Sequence, residues 1–265
     1  VSELIINDDP STTDLAYPDG VSFGYVERDY AVYPKEMFSA PSEMKLIPRS
    51  EWSARIKEQE EAKSRISDIL LAKGIPSMDQ GPNGYCWGHS TVGAVQAVRA
   101  FNNQPYVPLS AYMVCAIIKK GKNEGGWCGL SAKFLREVGV CSQALWPQGD
   151  RNVRRDTPEV REDAAMRKVT EDFVDLTRDV YDQNLTFDQL ATCLLNGIPC
   201  AVDFNWWSHS VMACDLVEVS AGSFGIRIRN SWGDSYGDRG FAVLQGSKAI
   251  PDGALAIRVS GASSN

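Results

Sequence analysis

Cys86 stands where a turn-rich loop becomes a helix, a position that suits a nucleophile. The stretch Asp79-Gln80-Gly81-Pro82-Asn83-Gly84-Tyr85-Cys86-Trp87-Gly88-His89-Ser90-Thr91 opens with Gly, Pro and Asn, which punctuate loops. From Trp87 onward, Val92, Val95, Ala97, Val98 and Phe101 recur at helical spacing. Free N–H groups and the positive end of the helix dipole favour an anion at a helix start. A thiolate is such an anion, and this setting lowers thiol pKa values. A thiol nucleophile then needs a base, a group that holds the base, and donors for the oxyanion.

The chain offers two histidines as bases. His89 lies three residues after Cys86, on the same helix face but one turn in, where packing against the lobe is expected. His209 begins a strand after Trp206-Trp207-Ser208, and strand starts at a cleft edge are where reactive groups gather. The reading favours His209 as the base and His89 as a core or rim residue. In Arg229-Asn230-Ser231-Trp232-Gly233, Asn230 ends a neighbouring strand. Its amide oxygen can accept the imidazole N–H and fix the tautomer. Trp232 can cover that bond and exclude water. Gln80 precedes the glycine-rich loop, so its side-chain amide and the Cys86 backbone N–H can form an oxyanion hole.

The elements that must position these groups change texture along the chain. Residues 1–43 are irregular, with prolines at 10, 18, 34 and 41 and tyrosines at 17, 25, 30 and 33; residues 21–26 suit a short strand. Residues 53–73 read as one amphipathic helix, stopped by Gly74 and Pro76. Helices follow from Cys86, over 110–120 with Ser110 as N-cap, over 130–138, and over 187–196 with Thr186 as N-cap. Residues 147–168 are charge-dense, and matching carboxylates beside the arginines favour a solvated face. From Pro199 the chain turns strand-like, over 201–204, 211–217, 224–229, 240–244 and 254–259. Helices first and strands after is the α+β order, with two lobes and a cleft between them.

Composition narrows the function. A net charge of −7 disfavours a nucleic-acid partner and an anionic membrane surface. The apolar runs are shorter than a membrane span, and residues 1–20 carry four aspartates and no apolar leader segment. The seven cysteines include no C-x-x-C pair, so neither a metal nor another cofactor is expected. A cytoplasmic or other reducing compartment is the expectation.

Gln80-Gly81-x-x-Gly84-x-Cys86-Trp87, then Ser208-His209-Ser210-Val211, then Asn230-Ser231-Trp232-Gly233-x-x-x-Gly237-x-x-Gly240-Phe241 resembles the papain family of cysteine peptidases. The order Cys, His, Asn agrees with that family. The resemblance implies a papain-like two-lobe α+β fold, with a helical N-terminal lobe, an antiparallel β-rich C-terminal lobe and the active site between them. It implies peptide hydrolysis through a Cys86 thiolate–His209 imidazolium pair and an acyl-enzyme, with Asn230 orienting the base and Gln80 at the oxyanion. Gly125, Gly126 and Trp127 would line the substrate groove, joined by Trp232. Leu46-Ile47-Pro48 and Trp52 resemble the start of a mature chain. Residues 1–45 are then an extension, a pro-segment or a docking arm, and 46–265 the peptidase domain. Residues 53–73 read as an inserted helix and 148–185 as a divergent insertion. Three departures stand out. Asn83 replaces a disulfide cysteine common in secreted members, Ser208 replaces an acidic or amide residue before the histidine, and His89 replaces an aromatic. Expected partners are a peptide or protein substrate and, for residues 1–45, another protein or the chain's own active site. A second reading, of another class, is a scaffold that binds partners through this arm.

Overall fold

A computed structural model describes residues 3–41, 44–169, 172–178 and 182–257. In chain order the regular elements are β1 (Ile5–Ile6), α1 (Pro10–Thr13), α2 (Trp52–Ala62), α3 (Ile66–Ala72), α4 (Cys86–Phe101), α5 (Ala111–Ile118), α6 (Cys128–Glu137) and α7 (Pro158–Ala165). They continue with β2 (Phe173–Asp175), α8 (Gln183–Leu195), β3 (Cys200–Phe204), β4 (His209–Ser220), β5 (Ser223–Arg229), β6 (Phe241–Gln245) and β7 (Gly253–Ile257). None of the described helices is long and apolar enough to cross a membrane.

The strands form one sheet in the order β1-β6-β5-β4-β3-β7-β2. Every pairing is antiparallel except that of β1 with β6, which is parallel. β3 and β4 are buried along nearly their whole length, as befits the middle of a sheet covered on both faces. Two apolar clusters result. One gathers Trp87, Val92, Tyr112, Leu135 and Trp146 from α4–α6 and the segments around them. The other gathers Trp52, Leu190, Phe204, Trp207 and Ile226 around the sheet. This is the two-lobe α+β fold.

The stretch 53–73 is two helices rather than one. Lys63 takes a left-handed conformation (φ 53°) and closes α2, its N–H bonding the Gln59 and Glu60 carbonyls. The break lets the halves face different ways. Trp52 and Ile56 of α2 join the sheet-side cluster, while Ile66 and Leu70 of α3 join the helical one. In α8 the N-cap is Asp182, whose carboxylate accepts from the Asn184 N–H, and Thr186 sits one turn inside. The charge-dense region holds a helix, α7, capped by the Thr157 hydroxyl and opened by Pro158. Its arginines do pair locally, Arg155 with Asp150 and Arg161 with Asp156. The expected strand over 254–259 is ordered as β7, and Arg258 and Val259 fall outside the described residues.

The N-terminal residues cross the molecule. β1 adds to the sheet edge at β6, Ala16 accepts from the Trp207 indole (2.7 Å), and the Tyr17 hydroxyl donates to the Trp206 carbonyl (2.7 Å). Farther on, Phe38 is buried in the helical cluster and Ser39 bridges to Val174. Between these anchors the chain has to pass over the junction of the lobes.

Candidate active site

Cys86 is the first residue of α4 and is fully buried. Its thiol lies beside Ser210, next to His209, and so against the start of β4. His209 is also fully buried. Its Nε2 lies 2.8 Å from Asn230 Oδ1, which also accepts the Ser231 N–H at 2.8 Å. An amide oxygen only accepts, so Nε2 carries the proton and Nδ1 keeps its lone pair. That Nδ1 has no hydrogen-bond partner. Trp232 stacks on the imidazole (4.6 Å, 22°) and Trp207 meets it edge-on (4.9 Å). The hydrogen bond to Asn230 is therefore kept dry by two indoles.

Gln80 is fixed from three sides. Its oxygen accepts the Ser231 hydroxyl (2.6 Å), its backbone carbonyl accepts the Tyr112 hydroxyl (2.6 Å), and its backbone N–H bonds the Ser231 carbonyl (2.8 Å). Its side-chain nitrogen donates to the Asn83 carbonyl (2.9 Å) and to the Ser22 carbonyl (2.9 Å). The second acceptor belongs to the N-terminal arm. Asn83 is joined to Tyr112 through its amide nitrogen (2.7 Å), and all seven cysteines are free thiols.

Residues 23–26 lie against Gly126, Gly84 and Ser208. Gly126 donates its N–H to the Gly24 carbonyl (2.9 Å) and accepts the Val26 N–H (2.8 Å), a parallel bridge centred on Tyr25. Tyr25 N–H also bonds the Ser208 carbonyl at 3.0 Å. Phe23 packs its ring edge-on to His209 and to Trp232, each at 5.5 Å. The fit leaves no space for side chains at the crossing. A Cβ on Gly24 would lie 2.1 Å from the Gly84 oxygen, and one on Gly125 would lie 2.6 Å from the Gly24 oxygen. The expected strand over 21–26 is thus a single bridge, made with Gly126 and not with the sheet.

Burial governs the electrostatics. It pushes the Cys86 thiol up to about 12, against the lowering influence of the neighbouring Ser210. It pushes the His209 imidazolium down to about 4, against the bond to Asn230 that raises it. Both groups are therefore neutral at pH 7, in place of the expected thiolate and imidazolium, because burial disfavours each charged form.

His89 is a core residue. Its Nδ1 donates to the Tyr85 carbonyl (2.8 Å) one turn back, and its ring meets Tyr112 edge-on (5.7 Å). It lines a cavity of about 20 Å³ with Met78, Met212 and Asn230.

Sequence reasoning missed Ser22, Ser231, Tyr112 and Asp203. Asp203 left the clearest signal, a carboxylate inside the apolar run 201–204. Gly24 left another, since glycine in an extended segment marks close backbone approach.

A profile of the papain family of cysteine proteases matches residues 72–256. The chain belongs to the papain family of cysteine proteases. It is 25% identical over 188 residues to a senescence-specific cysteine protease of Oryza sativa, the match covering 64% of this chain and 54% of that one. The chain thus spans about half the length of this relative. Zingipain-2 of Zingiber officinale is 23% identical over 201 residues, 69% of this chain and 87% of its own. Among solved structures, xylellain, a cysteine protease from Xylella fastidiosa, superposes with a TM-score of 0.61 at 18% identity, over 91% of this chain and 97% of that one. A digestive procathepsin L 3 of Tenebrio molitor superposes with a TM-score of 0.57 at 19% identity, over 69% and 66%.

Proposed function

We propose that this papain-family chain is a cysteine peptidase held latent by its own residues 21–28. The carrying observation is the Ser22 carbonyl on the Gln80 side-chain nitrogen (2.9 Å), a peptide carbonyl where an oxyanion donor is expected. An extended peptide therefore fits the groove, with Gly126 pairing to its backbone.

With the arm displaced, His209 Nδ1 takes the Cys86 proton and the thiolate attacks a substrate carbonyl carbon. The oxyanion accepts from Gln80 Nε2 and the Cys86 backbone N–H. The imidazolium then protonates the leaving amine as the C–N bond breaks, leaving a thioester. Water, deprotonated by Nδ1, attacks the thioester carbonyl carbon, and the imidazolium returns that proton to sulfur as the C–S bond breaks. Asn230 holds the ring throughout, under Trp232, whose role is then a cover over the base beside the groove.

What supports latency is that the arm covers His209 through Phe23 while it occupies the Gln80 side-chain amide and the Gly126 backbone. The parallel pairing at Gly126 gives the arm one direction along it. The test is a thiol-directed epoxide on the full chain and on its Gly24→Val variant. Slow labelling of Cys86 that quickens in the variant supports the proposal. Labelling on another cysteine, or none in the variant, contradicts it.

A further inference from the structure

Beside the arm lies a cavity of about 100 Å³, its wall including Tyr25, Arg28, Trp127, Asp175, Asp203 and Asp252. Asp203 comes from β3, otherwise an apolar strand, and is 1% exposed. One carboxylate oxygen accepts the Cys128 N–H (3.1 Å) and the other accepts the Ser210 hydroxyl. Asp252 precedes β7 and accepts the Asn205 N–H at 2.6 Å. The two carboxylates share this wall, and both raise the Tyr25 phenol in addition to the larger effect of its burial.

The arm itself acts as an occupant. The Gly126 bridge pins Tyr25 at the cavity. Three residues on, the Arg28 guanidinium sits 4.5 Å from the centre of the Trp127 ring and 2.6 Å from Asp175 Oδ2. Trp127 is 5% exposed, and its indole nitrogen has no hydrogen-bond partner. The wall therefore already hosts one cation on an aromatic face, and it has a buried donor to spare.

We propose that this cavity is a binding site for a cationic peptide side chain, lysine or arginine, with Asp203 and Asp252 setting the preference. The proposal rests on the peptidase reading and names its substrate class. A carboxylate buried in a strand core is costly to desolvate, and a cation brought beside it offsets that cost. Guanidinium and ammonium groups bond carboxylates more strongly than a phenol does. Tyr25 walls this space as a neutral group. A basic substrate displaces it together with the arm, because it leaves Asp203 and Asp252 without a matching charge.

The arm supplies a test that needs no catalysis. Hydrogen exchange of the Val26 amide, which donates to Gly126, reports how firmly the arm is seated. It is measured in the full chain and in its Tyr25→Arg, Tyr25→Leu and Tyr25→Glu variants. Arginine slows exchange about tenfold or more relative to leucine, the scale of one charge-assisted hydrogen bond, and glutamate speeds it. Asp203→Asn removes most of the arginine–leucine difference, and Asp203→Glu keeps it. Equal exchange for arginine and leucine, or a difference that survives Asp203→Asn, overturns the proposal. A randomised peptide library with the Gly24→Val chain is the second readout. Selection of lysine or arginine over leucine at one position, by about tenfold in kcat/KM, agrees with it. Cleavage without that selection overturns it. Absence of all cleavage and of Cys86 labelling would sink the peptidase reading alone, and the exchange result then decides the cavity.

Discussion

The chain's two histidines are buried to nearly the same degree, and in both burial lowers the imidazolium to about 4. What buries them differs. His89 is enclosed by the helical lobe itself, with Tyr85 and Tyr112 around its ring. His209 is enclosed by Trp232 and Trp207 on two sides and by Phe23 on another. Phe23 belongs to the arm, so one cover is removable. Depth alone does not distinguish a reactive histidine from a structural one. In the proposed mechanism the reactive one is desolvated by a segment that can leave, and it has a fixed acceptor on the nitrogen that does not react.

The sharpest way to break that comparison is to remove each ring in the Gly24→Val chain. His209→Ala should lower kcat/KM about 10³- to 10⁴-fold, at the upper end of what a general base supplies. His89→Ala should change kcat/KM by only a few-fold. It should lower the thermal midpoint instead, by the loss of about 1–3 kcal/mol for a buried hydrogen bond left half-made. Similar losses of activity in both variants would undo the distinction. Next in size, Gln80→Ala should cost about 10²- to 10³-fold in kcat, as removal of one oxyanion donor does. A change confined to KM would place Gln80 in binding alone.

Gly24→Val should raise the rate of Cys86 labelling by about 10- to 100-fold, the scale of a clash forced into a packed contact. A rate unchanged by this substitution would mean that the arm does not guard the thiol. The smallest effect is in titration. In the wild-type chain both histidines should protonate near pH 4 when followed by NMR. In Gly24→Val, His209 should move up toward the ordinary value and His89 should stay. The sign for stability follows. The closed form holds His209 neutral and the open form does not, so closure is fully stabilised above about pH 6.5 and that stability is lost as pH falls toward about 4. Acid should therefore loosen the arm, and exchange of the Val26 amide should quicken over that window.

Much of the candidate site was legible because its chemistry is tied to short segments. Cys86 at a helix start, His209 at a strand start and Asn230 before an indole each carry their meaning in a few neighbouring residues. The helices of the first lobe and the strands after Pro199 were legible through periodicity. The helix break at Lys63 was not, because a left-handed lysine gives no compositional signal. Strands β1 and β2, two and three residues long, are too short to carry a period. The course of the arm was hidden for another reason. Its pairing is with single loop residues, Gly126 and Ser208, more than 100 positions away, and its own composition shows only turns and tyrosines. Asp203 carries its signal as the one charge of β3, but a single carboxylate does not say which partner its strand brings to it.

The most direct measurement is intact-mass analysis of the full chain and of Gly24→Val after equal exposure to the epoxide, followed by peptide mapping. The predicted result is a single adduct per chain, on Cys86 among the seven cysteines, formed at least tenfold faster in Gly24→Val. An unmodified Cys86 in Gly24→Val, or equal rates in the two chains, would contradict the account of a competent thiol closed by its own arm.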